Sequence, residues 1–268
     1  MKAAALQMTS VSDVAANLAQ AERLLTAAAE AGAELAVLPE NFSFMGATDA
    51  ERVAATENFG DGAAQDFLAT QARRNGLTIV GGTIPIRDGG ERAAQRSLVY
   101  GPDGSLVAHY DKIHLFDVDI PGRDERYAES ATTQPGTRPV VARTAAGRIG
   151  LTVCYDIRFP ALFHRLSVLG VDVLAVPAAF TVPTGRVHWQ PLLQARAIES
   201  LAYVVAAGQS GEHPGGRKTY GHSMIVGPWG EILAECEGGP GLVCVDLDIM
   251  GLKDLREKFP VLAHRRDL

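Results

Sequence analysis

The chain has 268 residues, 47% of them hydrophobic and 21% charged, which are globular proportions and exclude wholesale disorder. Its 25 Lys and Arg against 31 Asp and Glu leave a formal charge of −6, which argues against a broad nucleic-acid surface. No apolar run reaches the ~18 residues of a membrane span, and the N-terminal apolar stretch is too short for a signal peptide.

In chain order, residues 2–8 read as a short strand. Residues 12–32 read as an Ala-rich amphipathic helix, with Val14, Leu18, Leu24 and Leu25 on its apolar side and Gly32 as C-cap. Leu35-Ala36-Val37-Leu38, stopped by Pro39, has the continuous apolar character of a strand buried on both faces. A second helix is predicted at 62–75. Strands follow at 77–84, 96–101 and 105–109, the last two joined by a Pro102-Asp103-Gly104 turn. The second half predicts strands at 139–143, 148–153, 172–176, 202–207, 222–227, 231–236 and 241–247, and helices near 160–169, 186–200 and 249–257. Gly and Pro clusters stay short and no repeat or tether divides the chain, so one domain, 1–268, is expected. Helices interspersed among many strands predict an α/β or α+β layered sandwich, and periodicity leaves that choice open.

Three cysteines, Cys154, Cys236 and Cys244, make no disulfide framework and no C-x-x-C pair, as expected of a reducing compartment. Cys154 ends the strand-like run Ile149-Gly150-Leu151-Thr152-Val153, just before polar residues and a helix. A thiol there meets a cleft, and the N–H groups of the following helix are expected to lower its pKa. The alternative is a small core hydrophobe, which is the expected role of the other two cysteines. A nucleophile needs a proton acceptor and an oxyanion stabiliser. Glu40, after Leu35–Pro39, and Lys112, after the strand 105–109, also follow apolar runs, and the carboxyl ends of strands are where open α/β sheets bind ligands. Taken singly, each reads equally as a surface charge. His109 and His114 flank Lys112 without a carboxylate or cysteine to complete a metal set. Gly221-His222-Ser223-Met224-Ile225 lacks the last glycine of a nucleophile elbow, and no phosphate-binding glycine motif occurs. Arg256, Arg265 and Arg266 read as a solvated surface. The Gly-rich stretch 211–218, with His213 and Pro214, reads as a surface excursion or a lid.

At these residues the sequence resembles the nitrilase superfamily of carbon–nitrogen hydrolases, from Ala3 to about Asp248. Three signatures carry the likeness in the family's order: Leu-Pro-Glu-Asn ending at Asn41, Tyr-Asp-Lys-Ile-His-Leu-Phe at 110–116, and Val-Cys-Tyr-Asp-Ile-Arg-Phe-Pro at 153–160. The resemblance implies Cys154 as nucleophile, Glu40 as general base and Lys112 as the cation at the oxyanion. The backbone N–H of Tyr155 would be the second oxyanion donor, and Glu129, in Tyr127-Ala128-Glu129-Ser130, the second glutamate beside the lysine. It also implies a four-layer αββα sandwich, homodimerisation and no cofactor or metal.

Within the superfamily the likeness is nearest to the small-amidase branch of ω-amidases and deaminated-glutathione amidases. Val205–Ser210 with Gly211, and Thr219–Val226, tilt it towards the latter, while Phe116 also suits the former. Both substrates are small amides with a 2-oxo acid end, which Arg158 and Thr184 would grip by resemblance. An arginine fork matches a carboxylate bidentately. The alternative for Arg158 is a pair with Asp156. The expectation is thus a cytoplasmic linear-amide hydrolase without nucleic-acid or membrane partners. The remaining readings are an ω-amidase acting on 2-oxoglutaramate, a nitrilase proper and an inactive scaffold that keeps the fold.

Overall fold

A computed structural model describes residues 1–122 and 125–266. The first half supplies β1 (Lys2–Gln7), α1 (Val14–Glu30), β2 (Leu35–Val37), α2 (Asp49–Ala54), β3 (Glu57–Asn58), α3 (Ala63–Asn75), β4 (Thr78–Val80), β5 (Ile84–Arg87), β6 (Ala94–Tyr100) and β7 (Leu106–Asp111). A small hairpin follows, β8 (Asp117–Asp119) with β9 (Arg126–Ala128). The second half begins with β10 (Val140–Thr144), β11 (Gly147–Leu151), α4 (Pro160–Val168), β12 (Val173–Ala178), α5 (Val182–Ser200) and β13 (Tyr203–Gly208). It ends with the hairpin β14 (Ser210–Glu212) and β15 (Lys218–Tyr220), then β16 (Met224–Val226), β17 (Ile232–Glu235), β18 (Gly241–Asp246) and α6 (Ile249–Lys258).

The strands gather into two main sheets. One runs β18-β1-β2-β4-β6-β5-β3 with β7 on β6, and the other runs β10-β11-β12-β13-β16-β17. The centre of each is parallel: β1, β2 and β4 in the first, β11, β12 and β13 in the second. Alternation along the strands sorts side chains between layers. Ala4, Leu6, Ala36 and Ile79 pack outward against Leu25 and Ala28 of α1 and Leu68 and Ala72 of α3. Ala3, Ala5, Leu35, Val37 and Val80 point the other way, into a core shared with the second sheet, whose outer side carries α4 and α5. The architecture is therefore the αββα sandwich that the resemblance implied.

Local chemistry explains the boundaries. Asp13 caps α1 by accepting the Ala16 N–H at 3.1 Å, and Gly32, at φ +81°, follows its end. The strand predicted over 77–84 is broken at Gly81-Gly82 into β4 and β5. Gly82 sits at φ +52° with its Cα against the Pro39 carbonyl, where no side chain fits. The helix predicted from 186 starts at Val182, because Pro183 in a first turn forfeits no hydrogen bond. Arg256 is not a solvated residue. It donates to the Leu201 and Val171 carbonyls, both at 2.6 Å, satisfying the chain end of α5, and Arg265 donates to Glu199 O at 2.6 Å. Among the described residues no helix is long and apolar enough to cross a membrane.

Candidate active site

Glu40 lies three residues beyond β2, and Leu38 extends the pairing by donating to Val80 O at 2.9 Å. The Glu40 carbonyl accepts from Gln209 Nε2 at 3.0 Å, which ties this turn to the end of β13. Lys112 directly follows β7. Its N–H donates to Gln95 O on β6 at 3.0 Å, and its carbonyl accepts from Gly136 at 2.8 Å. Beyond β11, Thr152 bonds Ala175 O through both backbone and hydroxyl. The chain then turns sharply at Cys154, φ +47°, into a single 3-10 turn over Cys154–Arg158. A side chain held at positive φ outside glycine is an unfavourable backbone state, so the surrounding bonds must impose it.

These three strand ends converge. Lys112 Nζ lies 2.8 Å from Glu40 Oε1 and 2.8 and 3.1 Å from the two oxygens of Glu129, and Cys154 lines the same cavity as all three. Glu129 is fixed in turn by the Phe116 N–H at 2.7 Å. Glu40, Lys112 and Cys154 are all buried. Burial alone would raise the Glu40 pKa, yet the Lys112 charge and hydrogen bond, Arg217 and the thiol together hold it below the ordinary carboxylate value. Burial likewise opposes the Lys112 charge, and Glu129 and Glu40 outweigh it, leaving the ammonium more firmly protonated than a free lysine. The resting state thus pairs an ionised Glu40 with a charged Lys112.

The thiol departs from expectation. Burial and the neighbouring Glu40 carboxylate push its pKa above the ordinary 9.0, so it rests as a neutral thiol. One 3-10 turn aligns too few peptide dipoles to reverse this. That turn does leave its leading N–H groups free, and among the described residues no acceptor takes the Tyr155 N–H.

Asp156, fully buried, fastens the arrangement. Oδ2 accepts from Tyr110 Oη and Val153 N, both at 2.8 Å, and Oδ1 accepts from His114 N at 3.0 Å and lies 2.7 Å from His114 Nδ1. The loop after β7 and the loop after β11 are thereby locked together. Both oxygens are occupied, so Arg158 does not pair with Asp156. Its Nη1 instead lies 3.2 Å from His188 Nδ1, and its guanidinium rests over the Tyr155 and Phe180 rings at 5.7 and 5.2 Å.

Glu40, Lys112, Glu129, Cys154, Arg158 and Thr184 line one cavity of about 310 Å³, together with the Tyr155 side chain. Thr184 Oγ1 is 2.9 Å from Thr181 Oγ1. Sequence reasoning missed Arg217, which also lines this cavity, sits 5.3 Å over the Tyr127 ring and donates to Ala179 O at 2.8 Å. It belongs to the stretch 211–218, which spans the turn of the β14–β15 hairpin and exposes Gly211, Glu212, Gly215, Gly216 and Lys218, a surface excursion. His213 pins that hairpin from a buried position, 2.8 Å from Ser10 O and 2.6 Å from Thr219 Oγ1. Cys236 is buried and Cys244 partly so, both unpaired and distant from this constellation in the chain.

The sequence profile of the carbon-nitrogen hydrolases matches residues 2–257. The chain belongs to the carbon–nitrogen hydrolase family. It is 45% identical over 267 residues to the deaminated glutathione amidase of Synechocystis, covering 98% of this chain and 97% of that one. The Caenorhabditis elegans NitFhit protein superposes with a TM-score of 0.91 at 37% identity, covering 99% of this hydrolase but 65% of that longer chain. A Nesterenkonia amidase of the same fold, 28% identical with a TM-score of 0.78 over 97% of this chain and 95% of its own, carries the acetamide moiety of fluoroacetamide covalently on its active-site cysteine. This hydrolase therefore acts on carbon–nitrogen bonds other than peptide bonds.

Proposed function

We propose that the protein is an amidase that hydrolyses deaminated glutathione to 2-oxoglutarate and cysteinylglycine through a thioester on Cys154. The observation that carries this reading is the convergence of Cys154, Glu40 and Lys112 on one cavity that also holds Arg158, with Lys112 Nζ 2.8 Å from the Glu40 carboxylate. Arg158 and Thr184 receive the 2-oxo acid end. Apart from the Nη1 contact with His188, the N–H groups of Arg158 take no acceptor among the described residues, which leaves a fork for a carboxylate.

Glu40 takes the thiol proton as Sγ attacks the amide carbon, and the carbonyl oxygen becomes an oxyanion between Lys112 and the Tyr155 N–H. Protonation discharges Glu40 and weakens its bond to Lys112. One ammonium N–H is thereby released to the oxyanion while Glu129 keeps the other contacts. The thiol's high pKa thus confines deprotonation to the moment of bond formation. Collapse breaks the C–N bond, the leaving amine takes the proton from Glu40, and the thioester remains. Glu40 then deprotonates a water that attacks the thioester, and collapse of the second tetrahedral adduct returns the proton to sulfur and frees the acid. No step calls on a metal or cofactor.

Phe116 on the cavity wall favours a second reading, an ω-amidase for 2-oxoglutaramate, which shares the acyl half. Turnover of deaminated glutathione, 2-oxoglutaramate, a simple nitrile and an N-carbamoyl compound decides between them. The first must be turned over with a higher kcat/KM than the second, and a reversed order transfers the assignment. Cys154→Ala is expected to abolish turnover with an unchanged fold. Retained activity would remove Cys154 as the nucleophile, whereas no turnover of any of the four compounds by the wild-type chain would leave the scaffold reading standing. We further propose a single-domain homodimer acting in the cytoplasm, where three unpaired cysteines persist as thiols.

A further inference from the structure

A second, larger cavity of about 780 Å³ opens from the first, and Asn41, Arg52, Arg126, Tyr127 and Arg217 line both, so the two form one continuous cleft. The outer chamber is cationic. Arg186 and Lys218 join the three shared arginines, and Glu125 is the one carboxylate among its described lining residues. Val182 and Pro183 add the first turn of α5, the positive end of a 19-residue helix. Arg52, Arg126 and Lys218 are loosely engaged by Asp49, Asp119 and Glu212 at 3.5, 3.6 and 3.2 Å, exposed pairs of little strength. Two groups are uncommitted among the described residues: Arg186 is exposed and in no ion pair, and Arg217 Nε is buried without a hydrogen-bond partner. A buried donor at the junction of the two chambers is costly to leave unpaired, and an acceptor entering the cleft would satisfy it.

We infer that the outer chamber binds the free carboxylate at the far end of the leaving amine, so that the enzyme selects amides whose nitrogen carries an anionic peptidyl arm. The inference rests on the amidase reading above, because it takes the acyl half to sit against Arg158. Two extended residues beyond the scissile nitrogen reach roughly 7 Å, which carries a terminal carboxylate away from Cys154 towards the outer cations. An amide that releases ammonia leaves this chamber unused. The chamber therefore separates the two substrates that share an acyl half.

The test compares kcat/KM for deaminated glutathione, its C-terminal carboxamide and 2-oxoglutaramate, in the wild-type enzyme and in Arg186→Gln. Arg186 is exposed on α5, so the substitution leaves packing alone. Amidating the arm's carboxylate is expected to lower the wild-type value about tenfold or more, the worth of a charge-assisted hydrogen bond. Arg186→Gln should cost deaminated glutathione about tenfold more than either of the other two. If the wild-type enzyme treats acid and carboxamide alike, or the variant loses the same factor on all three, the arm is not read here while the amidase reading stands. If only 2-oxoglutaramate is turned over, the reading falls and the inference with it.

Discussion

Lys112 offers three N–H donors, and the resting site occupies all of them with Glu40 and Glu129. Glu129→Gln removes the charge that aims the ammonium, and kcat is expected to fall roughly 10²-fold, comparable to losing an oxyanion donor, with KM little changed. Steady-state kinetics checks the split. Asp156 acts through others: as Asn it would turn an NH₂ towards the Val153 or the His114 backbone N–H, leaving that donor unsatisfied and removing the buried charge. About 2–5 kcal/mol of stability should be lost, read as the urea midpoint, along with kcat. The raised thiol pKa sets a pH signature. Alkylation of Cys154 by a small neutral reagent should show its inflection above the ordinary 9.0, because the folded protein holds the proton longer than the unfolded chain does. An inflection below that value would remove the neutral-thiol mechanism. Glu40 has the opposite sign: its lowered pKa contributes stability above the ordinary 4.5, and that contribution is lost as pH falls through the lower folded value.

Strand ends aim the site's side chains, parallel at β2 and β11 and antiparallel at β7, and glycines let neighbouring loops close on them. Gly82 lies against the Pro39 carbonyl beside Glu40, and Gly136 against the Asp111 carbonyl beside Lys112. Gly82→Ala at φ +52° is expected to lower both Tm and kcat by displacing the Glu40 turn, measurable by thermal melting and kinetics on one sample. Elements of this size explain what sequence did and did not reveal. Glu40, Lys112 and Cys154 stood out because each interrupts an apolar run, and Glu129 only through family likeness. Arg217 gave no signal. It sits in a polar Gly-rich turn whose position depends on His213 reaching Ser10, a contact between residues 203 apart. The short helix α2 was invisible for a similar reason: its six residues have no buried face, and the Thr48–Glu51 capping box holds it. The role of Asp156 was equally hidden, since three of its four bonds go to β7 and the loop after it, more than 40 residues away.

At the scale of the molecule, the alternation of buried runs and helices pointed only to a layered sandwich, and the αββα layer order came from the family resemblance; sheet order was not legible, because β18 returns from the far end of the chain to pair with β1. The outer face of α5 exposes Val187 and Ile198, eleven positions apart and so on one side of the helix, and Trp229 and Phe259 are exposed as an edge-to-face pair. Exposed apolar surface of this kind suits a second copy. Light scattering is expected to give about twice the 28.4 kDa chain mass, and Trp229→Glu to shift it towards the monomer.

Glu40 and Lys112 belong to one sheet and Cys154 to the other, so neither half of the sandwich owns the chemistry. Turnover begins only when the two halves have closed on each other. During refolding, regained activity therefore times that final closure, and a species with every strand formed but the halves apart is silent in the assay.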